Sequence, residues 1–138
     1  MRLAIRAEEL GYNRFWVAEH HNMSNLASSA PEALIAYLLA RTSKIRIGSG
    51  GVMLQHYSAY KVAENFRMLE TLFPGRIDVG IGRAPGSDQH TMRILADGKP
   101  NWSDAEKYHY QVSDLVAWLH DALPMNHEGT AVVESPSG

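Results

Sequence analysis

The chain has 138 residues, of which 45% are apolar and 20% charged, so it is long and apolar enough to bury the core of one domain. A formal net charge of −2 leaves no positive field that attracts nucleic acid or an anionic membrane, so neither partner is expected. Cysteine is absent, which excludes disulfides, thiolate nucleophiles and cysteine-ligated metals and agrees with a cytoplasmic location. Neither a signal peptide nor a membrane-spanning run is expected from the sequence.

Three segments share one plan: a basic residue, a short run of β-branched and aromatic residues, then glycines or histidines. This plan predicts strands over residues 14–19, 44–48 and 76–82. The strands begin roughly 30 residues apart, which is the length of one strand plus one helix. Such spacing predicts parallel strands joined by right-handed helical crossovers.

Helical patterns lie before and between the first strands. Residues 3–10 form a predicted helix that Gly11 ends. Residues 33–40 are apolar nearly all round, which predicts a well-buried helix, and they follow a capping box of Ser29 and Glu32 with Pro31 in the opening turn.

Two further helices are predicted from apolar stripes. The first is capped by Ser58 and stopped by Pro74 and Gly75, and the second begins at a capping box of Ser103 and Glu106 and ends by Pro124. The stripe of the first is Val62, Phe66, Leu69 and Phe73, and that of the second is Tyr108, Val112, Leu115, Val116 and Leu119.

The predicted order is therefore α-β-α-β-α-β-α over residues 1–125, followed by a polar, irregular tail at residues 126–138. This alternation fits an open doubly wound sheet, and it equally fits part of an eight-stranded (β/α) barrel. Since a complete barrel takes roughly 250 residues, the chain supplies about half of one. Periodicity alone does not choose between the two architectures.

Both architectures bind ligands at the carboxyl ends of their parallel strands. The first such end carries Glu19, His20 and His21. Successive strand residues point to opposite faces, so only one imidazole faces a barrel mouth and the other is structural. The alternative is that both histidines are satisfied polar residues of a loop. A metal site is disfavoured, because neighbours on opposite faces do not easily share one ion and no HxH or HExxH spacing occurs.

The second strand end carries Gly48, Gly50 and Gly51, which interrupt a segment that otherwise favours β-branched residues. Either a flat ligand ring approaches the backbone there, or the glycines form a simple bulge. The third end, residues 80–86, resembles a dinucleotide-binding turn, but its glycine spacing differs from that motif. Arg83 in this turn is predicted to meet an anionic group such as phosphate, with a surface salt bridge as the alternative.

Residues 11–21, 47–54 and 73–83 together resemble the bacterial luciferase-like flavin-dependent monooxygenases, and the similarity extends over residues 3–124. The resemblance implies a (β/α)8 TIM barrel of which this chain holds only a part, lacking the first strand and the C-terminal half. It implies reaction of reduced FMN, supplied by a separate flavin reductase, with dioxygen to oxygenate a small organic substrate such as an aldehyde.

The resemblance also implies roles for single residues. His20 is the residue expected to move a proton near the reacting oxygen, with Glu19 and His21 in support. Gly50 and Gly51 are expected to be joined by a cis peptide lying against the flavin ring, and Arg83 is expected to contact the flavin phosphate.

An unclosed barrel leaves unpaired strand edges, so self-association into a homo-oligomer is expected. Two other functions remain open from the sequence. One is a catalytically silent half barrel that serves as a structural or oligomerisation module. The other is a metal-dependent hydrolase, against which the missing ligand spacing argues.

Overall fold

The computed structural model describes residues 2–84, 86–97 and 105–132. The helices are α1 (Arg2–Glu9), α2 (Pro31–Ala40), α3 (Ala59–Leu72), α4 (Gln89–Leu95) and α5 (Ala105–Leu119). The strands are β1 (Arg14–Val17), β2 (Arg46–Ser49), β3 (Val52–Met53), β4 (Ile77–Asp78) and β5 (Ile81–Gly82). Two short 3-10 turns occupy Leu54–His56 and Glu128–Ala131.

The described strand pairs are parallel, which confirms the predicted α/β class with parallel strands. β2 lies between β1 and β4 in one sheet, and β3 pairs with β5 in a second. Only Gly50 and Gly51 separate β2 from β3, and only Val79 and Gly80 separate β4 from β5. β3 and β5 are therefore continuations of β2 and β4.

The predicted limits of the first two strands are wrong, because side-chain carboxylates replace backbone partners there. The first strand ends at Val17, since the Glu19 carboxylate accepts the amide of Met53. The second begins at Arg46 rather than Lys44, because the amides of Lys44 and Ile45 donate to Glu8 Oε1 at 2.6 and 2.9 Å.

The third predicted strand is interrupted at residues 79–80. The Ser49 hydroxyl donates to the carbonyl of Gly80 at 2.8 Å, and the amide of Gly80 donates back to Ser49 Oγ at 3.1 Å. A side chain thus takes the place of the regular backbone ladder. The register places the extra residue in the facing segment, where residues 49–51 lie opposite residues 79–80.

The predicted caps of α2 and α3 do not form as hydrogen bonds. The N-cap of α2 is Ala30, and no side chain caps it, so the predicted box of Ser29 and Glu32 is wrong. Pro31 at the first position explains how the helix starts without that cap, because proline lacks the N–H and fixes a helical φ. Ser58 is the N-cap of α3 as predicted, but its hydroxyl makes no capping bond. Ser103 lies outside the described residues.

The buried faces of the helices follow most of the predicted stripes. Val62, Phe66 and Leu69 of α3 are buried, as predicted. α2 is not buried all round, because Tyr37 is 42% exposed. Val116 of α5 is 51% exposed and Trp118 is buried, since Leu115 and Trp118 are three residues apart and share one helical face.

Two elements appear where none was predicted. α4 begins after Asp88, whose carboxylate accepts the amides of His90 and Thr91, and none of its residues is buried. A helix without a buried face shows no apolar stripe, so only its cap marked it in the sequence. The 3-10 turn Glu128–Ala131 lies in the segment predicted to be irregular, and its Gly129 is buried.

α2 and α3 pack against one face of the three-stranded sheet, α5 packs against α3, and the core lies between these helices and the sheet. Burying each large apolar side chain in this layer contributes about 1.5–3 kcal/mol. Its largest fully buried apolar members are Ile35, Leu38, Leu39, Ile45, Ile47 and Leu54. Within the described ranges, none of the helices is long and apolar enough to cross a lipid bilayer.

The opposite face of this sheet is polar and open. Asp78 accepts the indole N–H of Trp16 at 3.0 Å and pairs with Arg14 and Arg46, which links all three strands. Partial burial opposes ionisation of Asp78, but the bonds from Trp16 and Arg46 prevail and lower its pKa. Trp16 itself remains 59% exposed on this face.

Candidate active site

The carboxyl ends of the strands are joined to one another by backbone hydrogen bonds. The amide of Gly50 donates to Val17 at 2.7 Å, the amide of Val52 to Gly80 at 2.9 Å, and the amide of His21 to Gly86 at 3.0 Å. The three loops that carry the predicted site residues therefore lie along one edge of the sheet.

Glu19 is the structural centre of this edge. Its side chain is 0% exposed. Oε1 accepts from the Tyr57 hydroxyl at 2.6 Å and lies 2.8 Å from His21 Nε2, while Oε2 accepts from the Met53 amide at 2.8 Å. A buried carboxylate is tolerated only when such donors replace its hydration. Glu19 thereby connects the end of β1 to β3.

The two histidines have different partners. The His21 ring is held by Glu19 and stands edge-on to the His56 ring, with centroids 6.4 Å apart. The amide of His20 donates to Ser28. The ring Nδ1 of His20 is buried and has no hydrogen-bond partner among the residues that the structure describes. His20 thus keeps a ring nitrogen available for a further hydrogen bond.

The peptide bond between Gly50 and Gly51 is cis, in agreement with the resemblance. Gly50 is exposed, and a Cβ placed on it meets the Trp16 side chain at 3.3 Å. A Cβ on Gly51 lies 2.6 Å from the backbone carbon of Ile81. Gly51 is therefore required by the neighbouring strand, whereas Gly50 leaves backbone open on the site side.

Arg83 is exposed directly after β5. Its guanidinium makes no hydrogen bond or ion pair with the described part of the chain, so the predicted salt-bridge alternative has no partner there. Burial raises the pKa of Tyr108 on α5, and the positive charge of Arg83 opposes that rise. Arg83 is therefore a cation near the strand ends that is available to an anion.

Three residues at this edge were missed as site residues. Tyr57 was not predicted because it belongs to no motif. Ser49 was not predicted because the prediction at this strand end rested on the neighbouring glycines. Asp88 accepts the Asn22 amide at 2.9 Å, so it ties the loop after β1 to α4. Bonds from Asn22 and Thr91 lower the pKa of Asp88 below its usual range. The signal available in the sequence was Asp88 itself, since aspartate is a favoured N-cap residue and α4 begins at the next position.

No group of three or more His, Asp or Glu within the described ranges is arranged to hold a metal ion. A cleft of about 530 Å³ lies elsewhere, between α3, α5 and the turn Glu128–Ala131, and none of the predicted site residues lines it. The chemistry of the strand ends is therefore that of histidine, carboxylate, arginine and open backbone.

A family model described as luciferase-like monooxygenase matches residues 1–136. The N-acetyl-S-alkylcysteine monooxygenase of Bacillus subtilis (strain 168) is 49% identical over 99% of this chain and 40% of its own length. The structure of apo-MsnO8 is 45% identical, covers 99% of this chain and 39% of its own, and has a TM-score of 0.86.

A more distant structure shares the fold. It is the oxygenating constituent of 3,6-diketocamphane monooxygenase from Pseudomonas putida, solved in complex with FMN. That protein is 20% identical, with a TM-score of 0.70 over 94% of this chain and 35% of its own. The chain spans about two fifths of the length of the curated relatives it matches.

Proposed function

Because the chain belongs to the luciferase-like monooxygenase family, an oxidoreductase family, we propose that it oxygenates a small organic substrate with reduced FMN and dioxygen. The observation that carries this proposal is the joining of the three strand ends by hydrogen bonds. It brings His20, the Gly50–Gly51 peptide and Arg83 to one edge of the sheet.

These residues fit a flavin. Gly50 exposes backbone beside the Trp16 ring, which suits the approach of a flat ring system, and Arg83 is a cation free to bind a phosphate. When bound, FMN supplies the redox chemistry that activates dioxygen. His20 gives or takes a proton at its unpartnered ring nitrogen, while Glu19 and His21 hold the loop in place.

Two substrate classes are proposed. The relative named for N-acetyl-S-alkylcysteine suggests a small thioether. The aldehyde expected from the sequence is the second class.

We further propose that the sheet forms part of a (β/α)8 barrel and that a second copy of the chain covers its open face. A flavin reductase acting as a separate partner supplies reduced FMN, and the cytoplasm is the proposed location. The outer edge of β1, which is unpaired among the described strands, supports the self-association.

The test is a titration of the chain with FMN and, in parallel, with riboflavin, which lacks the phosphate. Flavin fluorescence should change on binding, and Arg83→Gln should weaken FMN binding about tenfold or more, because it removes a charge-assisted bond. Riboflavin binding should stay unchanged in the same variant.

Arg93→Gln is the matched control, because it removes the charge of another exposed arginine, in the last turn of α4, that is not among the predicted site residues. Absence of any flavin response at high micromolar FMN would favour a catalytically silent module over the proposed enzyme. Equal losses for FMN and riboflavin would show that Arg83 does not bind the phosphate.

A further inference from the structure

Tyr57 belongs to no motif in the sequence, yet its hydroxyl lies 2.6 Å from the fully buried carboxylate of Glu19. It follows the turn Leu54–His56, and its own amide donates to Leu54 at 3.0 Å. The side-chain amide of Gln111 on α5 donates to the carbonyl of Tyr57, also at 3.0 Å. The backbone of Tyr57 is thus held from two sides while its hydroxyl points at Glu19.

The direction of these hydrogen bonds follows from the chemistry of the groups. Burial, the bond to Glu19 and its negative charge all raise the pKa of Tyr57, so the phenol keeps its proton and donates it. The Met53 amide is also a donor, and an ionised carboxylate only accepts. When the Glu19 carboxylate is ionised, His21 completes the set by donating from Nε2, and in the neutral imidazole Nδ1 is then the acceptor nitrogen.

We propose that Tyr57 is a positioning residue for the histidine pair: its hydroxyl holds the Glu19 carboxylate, which in turn fixes the tautomer and orientation of His21 and the place of His20. The inference rests on the proposed function. Tyr57 acts through Glu19 in this arrangement and does not itself touch the reacting atoms.

The geometry explains why a carboxylate held by Tyr57 matters for His20. Glu19 and His21 flank His20 in the chain, and the Glu19 side chain is tied to Met53, which follows Gly51 by two residues. A shift of the carboxylate therefore moves His20 relative to Gly50 and Gly51. Small displacements of a reacting group lower rates by large factors.

The experiment compares the wild-type chain with Tyr57→Phe, which removes only the hydroxyl. Long-range ¹H–¹⁵N correlation of ¹⁵N-histidine-labelled protein reports which ring nitrogen carries the proton. We expect His21 to be protonated at Nε2 in the wild type. In Tyr57→Phe the Glu19 carboxylate loses the hydroxyl that holds it, so it can turn away from Nε2 and His21 should populate the Nδ1–H form. With reduced FMN and substrate, kcat should fall about tenfold while KM for substrate stays within about twofold.

Three comparisons make the result specific. Tyr110→Phe removes a hydroxyl from a tyrosine that is 64% exposed and should change neither quantity. 3-Fluorotyrosine at position 57 keeps a donor and should restore both. Glu19→Gln, which removes the charge at similar size, should reproduce the tautomer change and serves if Tyr57→Phe does not fold.

A folded Tyr57→Phe protein with an unchanged His21 tautomer and an unchanged kcat would overturn the proposal. A lower Tm with both quantities preserved would also overturn it, because the hydroxyl would then serve stability alone. If the chain bound no flavin, the proposed function would fail, while the tautomer measurement would still decide whether Tyr57 positions His21.

Discussion

His20 and His21 are neighbours in the chain, but of these two only the His21 ring is hydrogen-bonded to another side chain among the described residues. The His21 ring lies 2.8 Å from Glu19 Oε1, whereas Nδ1 of His20 is buried without a partner in the described residues. A buried polar atom that lacks a partner is unfavourable, and a hydrogen bond to a ligand would relieve that cost at His20. This difference supports His20 rather than His21 as the residue that meets the substrate or cofactor.

We therefore expect His20→Ala to lower kcat about 100-fold, because a lost general acid–base group typically costs at least that factor. The measurement is oxygenation of N-acetyl-S-alkylcysteine and of an aldehyde with reduced FMN supplied. His109→Ala, at an exposed position of α5, is the control. An oxygenation rate that is unchanged in His20→Ala would show that the proton is moved elsewhere.

At the scale of the elements, the glycines at the end of the second strand and directly after it are explained in two different ways. A Cβ on Gly48 would lie 2.4 Å from the carbonyl oxygen of Asp78, and one on Gly51 would meet the backbone at Ile81. Both glycines are therefore explained by close approach of the neighbouring strand. Gly50 is exposed, and the nearest atoms to its Cβ position belong to the Trp16 side chain rather than to a neighbouring backbone, so the ligand interpretation applies to Gly50 more than to the other two.

Gly48→Ala should lower the free energy of unfolding by about 2 kcal/mol, because the added methyl group forces two backbones apart. Chemical denaturation followed by circular dichroism measures this change. Gly82→Ala is the control in β5: its Cβ meets the flexible Met53 side chain at 3.2 Å, so a smaller loss is expected. Equal losses in the two variants would contradict the backbone explanation.

At the scale of the whole molecule, several apolar side chains are exposed around α1 and β1. Leu3 and Leu10 are 74% and 59% exposed, and a groove of about 420 Å³ runs beside them along Phe15 and Trp16. β1 pairs only with β2 among the described strands, so its other edge offers free backbone groups. Apolar surface next to an unpaired edge is the arrangement that favours association.

We expect the 138-residue chain to associate at micromolar concentration, as measured by light scattering after gel filtration. Leu10→Glu should shift it towards the monomer, because it places a charge in the apolar groove. Met125→Glu changes a side chain that is 97% exposed and remote from this edge in sequence, and should have no such effect. A monodisperse wild-type monomer would contradict the expectation.

The parallel alternation and most of the buried stripe residues were predictable, because they depend on local periodicity. The Val62, Phe66 and Leu69 stripe and the spacing of the strands needed only the sequence. The capping bonds predicted for α2 and α3 do not form, and the interruption at residues 79–80 and the short helix α4 were not predicted. Each depends on which hydrogen-bond partner is nearest in space, and local sequence does not determine that partner.

The same division holds at the site. The sequence by itself determined which residues are proposed to carry the chemistry, since histidine, carboxylate, arginine and glycine types cluster at strand ends whose positions follow from periodicity. Only the tertiary structure decided that Glu19 accepts from Tyr57, 38 positions away, that His21 shares this carboxylate, and that His20 keeps a free nitrogen. The reason is physical: a buried carboxylate selects donors by distance after the strands have paired.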